Sequence, residues 1–69
     1  MEKHKSLTPR ETEVFINLAL GKSHQEIAKV MNISHRTVAV HVASIYRKLE
    51  MKNAQQATIY AIKNKLIKL

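Results

Sequence analysis

A chain of 69 residues is long enough for one small domain with a single hydrophobic core. It contains no cysteine, which excludes disulfide bonds and cysteine-based zinc sites. Twelve Lys and Arg residues against five glutamates give a formal net charge of +7, and such a surface favours nucleic acid as the partner. An anionic membrane is the second candidate, but the chain has only one Phe and no Trp to anchor it there.

Enzymatic and membrane functions find little support in the residues. No apolar stretch is long enough for a signal sequence or a membrane span, so we expect a soluble, cytoplasmic protein. The chain has no Cys nucleophile and no aspartate, and its single glycine cannot build a phosphate-binding loop. The histidines lack the spacing of metal ligands on one helix: His4, His24, His35 and His41. We therefore expect neither catalysis nor a bound cofactor or metal.

The chain divides into a short arm and one helical domain. Residues 1–6 are polar and basic, and we expect them to form a flexible N-terminal arm. In residues 7–69 the apolar residues are mostly Ala, Ile, Leu and Val at helical spacing, which predicts an all-α fold of four helices.

The first predicted helix has a complete set of start and stop signals. Thr8 is its N-cap, Pro9 occupies the first helical position, and Glu11 completes a capping box. The helix runs to about Leu20, and Gly21 ends it in the left-handed conformation. Its buried face consists of Val14, Phe15, Leu18 and Ala19.

The second predicted helix is connected to the third by a short turn. Ser23 and Glu26 repeat the capping box, and the helix runs to about Met31. Asn32 tolerates a positive φ and can therefore turn the chain sharply before Ser34 caps the next helix. Two helices of these lengths with a turn of about three residues predict a helix-turn-helix.

The third predicted helix, from Ser34 to Glu50, has two distinct faces. One face is an apolar stripe of Val38, Val42, Ile45 and Leu49. The opposite face is small, polar and cationic and has no acid before Glu50. It carries Arg36, Val40, Ala43, Ser44 and Arg47, with Thr37, His41 and Lys48 along one flank. Such a helix suits the major groove of DNA, although an ordinary amphipathic surface helix also has this pattern.

The fourth predicted helix, from Ala54 to about Lys63, has one more apolar face than a monomer needs. Asn53 and Gln56 form a weaker capping pair at its start. Ala57, Tyr60, Ala61 and Asn64 can face inward. The other stripe consists of Ile59, Ile62 and Leu66 beside Gln55 and predicts a two-fold dimer interface, unless the helix rolls to bury Ile59 and Ile62 itself.

Blocks of residues along these helices are similar to a known family. They are Leu7-Thr8-Pro9-Arg10-Glu11, Glu26-Ile27-Ala28, Ser34-x-x-Thr37-Val38-x-x-His41-Val42 and Arg47-Lys48-Leu49. Together they resemble the LuxR-type (GerE-type) helix-turn-helix domain, over roughly residues 7–67. The resemblance implies four helices, with the third in the major groove and the fourth forming a homodimer. It also implies a bacterial transcription regulator that binds double-stranded DNA, is response-regulator-like or stand-alone, and has RNA polymerase as a further candidate partner.

The resemblance also implies which residues touch DNA. Base edges are contacted from the positions of Ala39, Val40 and Ala43. Phosphates are contacted from Ser23, His24, Gln25, Arg36, Thr37, His41, Arg47 and Lys48, and Ser44 on the same face completes the expected set.

The sequence departs from the family pattern at several positions. Glu50 replaces the usual Gly, so we expect helix 3 to run on or to end without a left-handed residue. Lys65 stands where a Gly often ends helix 4, so we expect Asn64 to make that turn. Ala39 and Ala43 stand where relatives often carry polar residues. These alanines favour the alternative function, a protein-interaction module that binds or sequesters a LuxR-type partner.

Overall fold

The computed structural model describes residues 3–68, and within this range the chain is all-α, as predicted. A short 3-10 helix at Lys3–Ser6 precedes four α-helices: α1 (Pro9–Ala19), α2 (His24–Met31), α3 (His35–Leu49) and α4 (Ala54–Lys63). Helices α2 and α3 and the turn between them form the predicted helix-turn-helix. Among the described residues, no helix is both long and apolar enough to cross a membrane.

Side-chain caps define where each helix begins, as the sequence predicts. The N-cap side chains of Thr8, Ser23, Ser34 and Asn53 each accept a hydrogen bond from the backbone N–H three residues later. Complete capping boxes close the starts of α1 and α2. The start of α4 differs slightly from a box, because Gln56 Oε1 accepts from the backbone N–H of Lys52 at 2.7 Å.

Each α-helix is followed by a residue with positive φ: Gly21 (90°), Asn32 (54°), Glu50 (55°) and Lys65 (59°). The backbone N–H of each of these residues donates to the carbonyl three positions earlier. The next residue donates to the carbonyl five positions earlier, as Met51 does to Tyr46 at 2.9 Å and Leu66 to Ala61 at 2.8 Å. This is the Schellman pattern of helix ends, and it confirms the roles predicted for Gly21 and Asn32.

The expectations for Glu50 and Asn64 are wrong. Glu50 adopts the left-handed conformation and ends α3, whereas Asn64 has a φ of −96° and Lys65 makes the left-handed turn after α4. The physical reason lies in the following residues. Met51 is buried and Leu66 packs against the core, so each turn carries an apolar side chain back onto the domain. That packing holds residues with a Cβ in a conformation that favours glycine.

One hydrophobic core joins all four α-helices. Its largest fully buried side chains are Phe15, Ile27, Ile45, Val14 and Val38. The stripe predicted on α3 is buried in full, and Ala57 and Ala61 of α4 have no exposed surface. The absence of a longer side chain at these two alanines lets α4 lie close to α1.

Residues 3–6 of the predicted N-terminal arm form a 3-10 helix that contacts the helical domain. The 3-10 helix at Lys3–Ser6 is held by hydrogen bonds from His4 N to Tyr60 Oη at 3.0 Å and from Lys48 Nζ to the Ser6 carbonyl at 3.4 Å. Lys3 also pairs with Glu50 at 2.7 Å. Residues 1 and 2 of the predicted arm lie outside the described residues. The partners of this polar segment are thus residues that are distant in sequence.

Candidate nucleic-acid interface

The packing of α3 decides which of its residues face solvent. Because Val38, Val42, Ile45 and Leu49 are buried, the opposite side of the helix is turned away from the domain. Val40 is 62% exposed at the centre of this side. Around it lie the exposed residues Arg36, Ala39, Ala43 and Arg47, which we call the front face. The front face is therefore a small apolar centre between two guanidinium groups.

Two glutamates that contact or end α3, Glu11 and Glu50, are paired with lysines. Glu50, at the end of the helix, pairs with Lys3 at 2.7 Å, and the hydrogen bond from Lys3 lowers the pKa of the Glu50 carboxyl. Glu11 is only 6% exposed and lies where α1 meets α3. Neither carboxylate belongs to the front face, whose charged residues are both cationic. An anionic backbone would therefore meet no negative charge on the front face.

Glu11 organises a polar contact between α1 and α3. Its Oε1 accepts from Lys48 Nζ at 2.8 Å and from the Thr8 backbone N–H at 2.9 Å, and its Oε2 accepts from Ser44 Oγ at 2.6 Å. These donors, with Lys48 the strongest, lower the pKa of the Glu11 carboxyl from 4.5 to about 2. The structure therefore turns Ser44 and Lys48 toward α1, beside the front face rather than on it.

The remaining expected contacts on α3 lie at its start and along one flank. Thr37 is exposed, and its hydroxyl lies 2.8 Å from Ser34 Oγ. The backbone N–H of Thr37 donates to the same Ser34 oxygen at 3.0 Å, so the cap fixes this first turn. His41 is half-buried on the flank. Thr37 is thus open to a ligand, and His41 only partly so.

The start of α2 approaches the start of α3. Ser23 is exposed, but its hydroxyl caps α2 by accepting a hydrogen bond from the backbone N–H of Glu26. Gln25 is exposed and His24 is half-buried. The ring centroids of His24 and His35 are 5.8 Å apart. The first residue of α2 is therefore close to the first residue of α3. No group of three or more metal-binding side chains occurs among residues 3–68.

The outer side of α4 carries the residues predicted for dimerisation. Gln55 is exposed, Ile59 is 46% exposed and Ile62 is half-buried. Leu66 differs, because the left-handed turn at Lys65 directs it to the core. The apolar surface left on α4 is therefore smaller than the sequence predicts and centres on Ile59 and Ile62.

The sequence of this domain is similar to that of a known protein family. Residues 5–61 match the family model described as bacterial regulatory proteins, luxR family. The chain belongs to the luxR family. The matched range begins in the N-terminal 3-10 helix and ends within α4, so it includes the complete helix-turn-helix. Membership of this family makes the chain a DNA-binding domain of transcription regulation.

Curated relatives of this luxR-family domain are longer proteins. The response regulator protein VraR of Staphylococcus aureus (strain Mu3) is 44% identical to the chain over 66 residues. The proteins of that name from Staphylococcus saprophyticus and Staphylococcus epidermidis are identical to the chain to the same extent. The alignment covers 96% of this chain but 32% of each relative. The chain thus spans about a third of the length of the relatives it matches.

His35 is a further candidate residue for this luxR-family site, and the sequence pattern does not indicate it. It is exposed and follows the Ser34 cap directly, next to Arg36. A helical projection of α3 alone places it beside the apolar stripe and not on the front face. Its importance comes from the turn at Asn32, which brings it close to His24 of the preceding helix. That proximity between two helices is not encoded in the periodicity of either helix.

Proposed function

We propose that this chain is the sequence-specific, double-stranded DNA-binding domain of a bacterial transcription regulator, and that α3 enters the major groove. The observation that carries the proposal is the front face of α3. It is exposed, has a small apolar centre and carries a guanidinium group toward each end, while Glu11 and Glu50 are paired with lysines. A major groove is wide enough for one α-helix, and phosphates line both of its edges.

The roles of the residues follow from their exposure. Ala39, Val40 and Ala43 offer methyl groups, which make favourable contacts with the methyl group of thymine. Arg36 and Arg47 bind phosphates, which position the domain without reading the sequence. Ser23, His24, Gln25, Thr37 and His41 supply further contacts to the DNA backbone from α2 and the flank of α3. Ser44 and Lys48 act indirectly, because Glu11 holds them and so fixes α3 against α1.

The outer side of α4 is proposed as the homodimer interface. Gln55, Ile59 and Ile62 form its surface, and a two-fold axis through them would pair the same side chains of two copies. One short helix per subunit buries little area, so we expect weak association in free solution and stronger association on DNA.

The longer relatives suggest the setting of this activity. They are response regulator proteins, and we propose that this chain serves a regulator of the same type. Such a protein acts on chromosomal DNA in the cytoplasm and has RNA polymerase as a candidate partner. No membrane contact is proposed.

Selection of bound duplexes from a random DNA pool, followed by fluorescence anisotropy, tests the proposal. We expect enrichment of a two-half-site sequence and a loss of affinity in Arg36→Ala/Arg47→Ala. The matched control is Lys52→Ala/Lys68→Ala, which removes the same charge from exposed residues outside the proposed DNA-binding and dimer surfaces. Equal losses of affinity in the two variants would show that net charge alone accounts for DNA binding. Failure to enrich any duplex would favour the protein-interaction module instead.

A further inference from the structure

Two histidines meet at the edge of the proposed DNA-binding surface. His24 is the first residue of α2 and His35 is the first residue of α3. Their ring centroids are 5.8 Å apart and the rings are tilted by 51°. Within the described part of the chain, no side chain or backbone group forms a hydrogen bond with either ring. Both imidazoles therefore keep their nitrogen atoms available for a ligand.

We propose that His24 and His35 bind one phosphate of the DNA backbone between them and that this binding takes up a proton. The proposal rests on the proposed function and adds a regulation by pH to it. A neutral imidazole has a single N–H donor, whereas an imidazolium has two donors and a positive charge. An N–H group reaches an oxygen acceptor over about 2.9 Å, so two rings at this separation can both donate to one phosphate group.

Among the described residues, the charged side chains of α2 and its surroundings offer the pair no unengaged carboxylate. On α2 the carboxylate of Glu26 accepts from the backbone N–H of Ser23 at 2.8 Å and is engaged in its capping box. The neighbouring charged residues Lys22 and Arg36 are cations, and the Lys22 ammonium group donates to Asn17 at 2.8 Å. Lys29, the remaining charged group of α2, is also a cation. A DNA phosphate would supply the pair with an anionic partner.

The carboxylates of α1, which packs against both helices, are committed to other partners. Glu11 is held by Lys48 and Ser44, and Glu13 lies 3.7 Å from Arg10. At the far end of α3, Glu50 pairs with Lys3. If both imidazoles are protonated, two positive charges lie close together. One phosphate between the rings stabilises both of these charges. Proton uptake is thus coupled to DNA binding.

Nuclear magnetic resonance on the intact chain tests the coupling directly. The Hε1 resonances of the histidines are followed from pH 5.5 to pH 8.5, with and without a selected duplex. We expect the titration midpoints of His24 and His35 to move to higher pH in the complex. His4 is the internal control, because its ring Nδ1 lies 3.0 Å from Tyr60 Oη, away from the proposed surface. Unchanged midpoints for both residues of the pair in a saturated complex would overturn the proposal.

Affinity measurements provide the second readout. At constant ionic strength we expect the affinity for the duplex to fall about fivefold to tenfold between pH 6 and pH 8. His24→Gln/His35→Gln should remove most of this dependence, whereas Arg36→Gln should weaken binding at every pH and leave the dependence in place. A dependence that survives the double histidine variant would contradict the proposal. Affinity that does not vary with pH would also contradict it, while absence of binding at any pH would instead contradict the proposed function.

Discussion

The carboxylate of Glu11 and the ammonium group of Lys48 lie 2.8 Å apart and connect the start of α1 to the last turn of α3. Glu11 thereby has two roles, because the same side chain also closes the capping box of α1 with Thr8. Ser44 binds its second oxygen. The orientation of the proposed reading helix relative to α1 therefore depends on one nearly buried carboxylate.

The first prediction is a dependence of stability on pH through Glu11. Its pKa in the folded protein, about 2, is below the ordinary value of 4.5. The stabilisation is therefore complete above about pH 4.5 and is lost as the pH falls toward 2. We expect Glu11→Gln to lower the free energy of unfolding at pH 7 by on the order of 2–3 kcal/mol. Urea unfolding between pH 2 and pH 7 measures both effects.

The control for this prediction is Glu13→Gln. Glu13 is exposed, and its ion pair with Arg10 is long, at 3.7 Å. Removal of this charge should therefore change the free energy of unfolding by less than about 0.5 kcal/mol. If Glu11→Gln has a stability profile parallel to that of the parent from pH 2 to pH 7, the ionised carboxylate does not stabilise the fold.

The second prediction concerns Asn32, which has a φ of 54° between α2 and α3. Asn32→Gly should be neutral or slightly stabilising, since glycine adopts this conformation freely. Asn32→Val should cost about 1–2 kcal/mol, because a β-branched side chain resists it. Thermal or urea unfolding of the two variants provides the comparison. A valine variant as stable as the parent would show that the turn tolerates another backbone conformation.

The third prediction concerns Glu50, which holds the same left-handed conformation at the end of α3. Glu50→Gly should stabilise the domain by about 0.5–1 kcal/mol, because relief of backbone strain exceeds the loss of an exposed ion pair with Lys3. Glu50→Gln removes the charge but keeps the Cβ, and it should be neutral or slightly destabilising. A destabilised glycine variant would mean that the Lys3 contact outweighs the strain.

These turns show how far the sequence determines the fold in advance. Gly21 and Asn32 can be predicted because their residue types favour positive φ, and the caps at Thr8 and Ser23 can be predicted from their spacing to glutamate. Glu50 has no such preference. It is placed there by the burial of Met51, which is a property of the assembled core.

The candidate site shows the same division. The front face of α3 follows from periodicity alone, and the structure exposes Val40 and Arg47 as expected. The positions of Lys48 and His35 do not follow from it. Lys48 meets a glutamate 37 residues away in the chain, and His35 meets a ring on another helix. Pairings between distant residues require the tertiary arrangement, and one sequence contains no record of them.

The fourth prediction concerns assembly through α4. Ile59 is 46% exposed, so Ile59→Asp should leave the fold intact while placing like charges opposite each other across a two-fold axis. We expect this variant to lose self-association and to bind a two-half-site duplex more weakly. Analytical ultracentrifugation and DNA titration measure these effects. Leu20→Asp, at an exposed apolar residue of the α1 terminus, is the matched control and should associate normally. Full affinity and association in Ile59→Asp would exclude the proposed interface.

The last prediction separates the positioning of the domain from its reading of sequence. Each phosphate contact that is removed should reduce the slope of log K against log salt by about 0.9, because fewer counterions are released on binding. Arg47→Ala should therefore weaken selected and scrambled duplexes alike and flatten the slope by about one per bound chain.

Val40→Ala removes two methyl groups from the centre of the front face without changing its charge. It should reduce the preference for a thymine-containing half-site and leave the salt slope unchanged, since a methyl contact releases no counterion. Titrations of both variants from low to moderate salt, on selected and scrambled DNA, compare the two effects. If Val40→Ala retains the full preference, DNA shape and not the methyl contact supplies the specificity. If Arg47→Ala retains the parent slope, Arg47 does not contact phosphate.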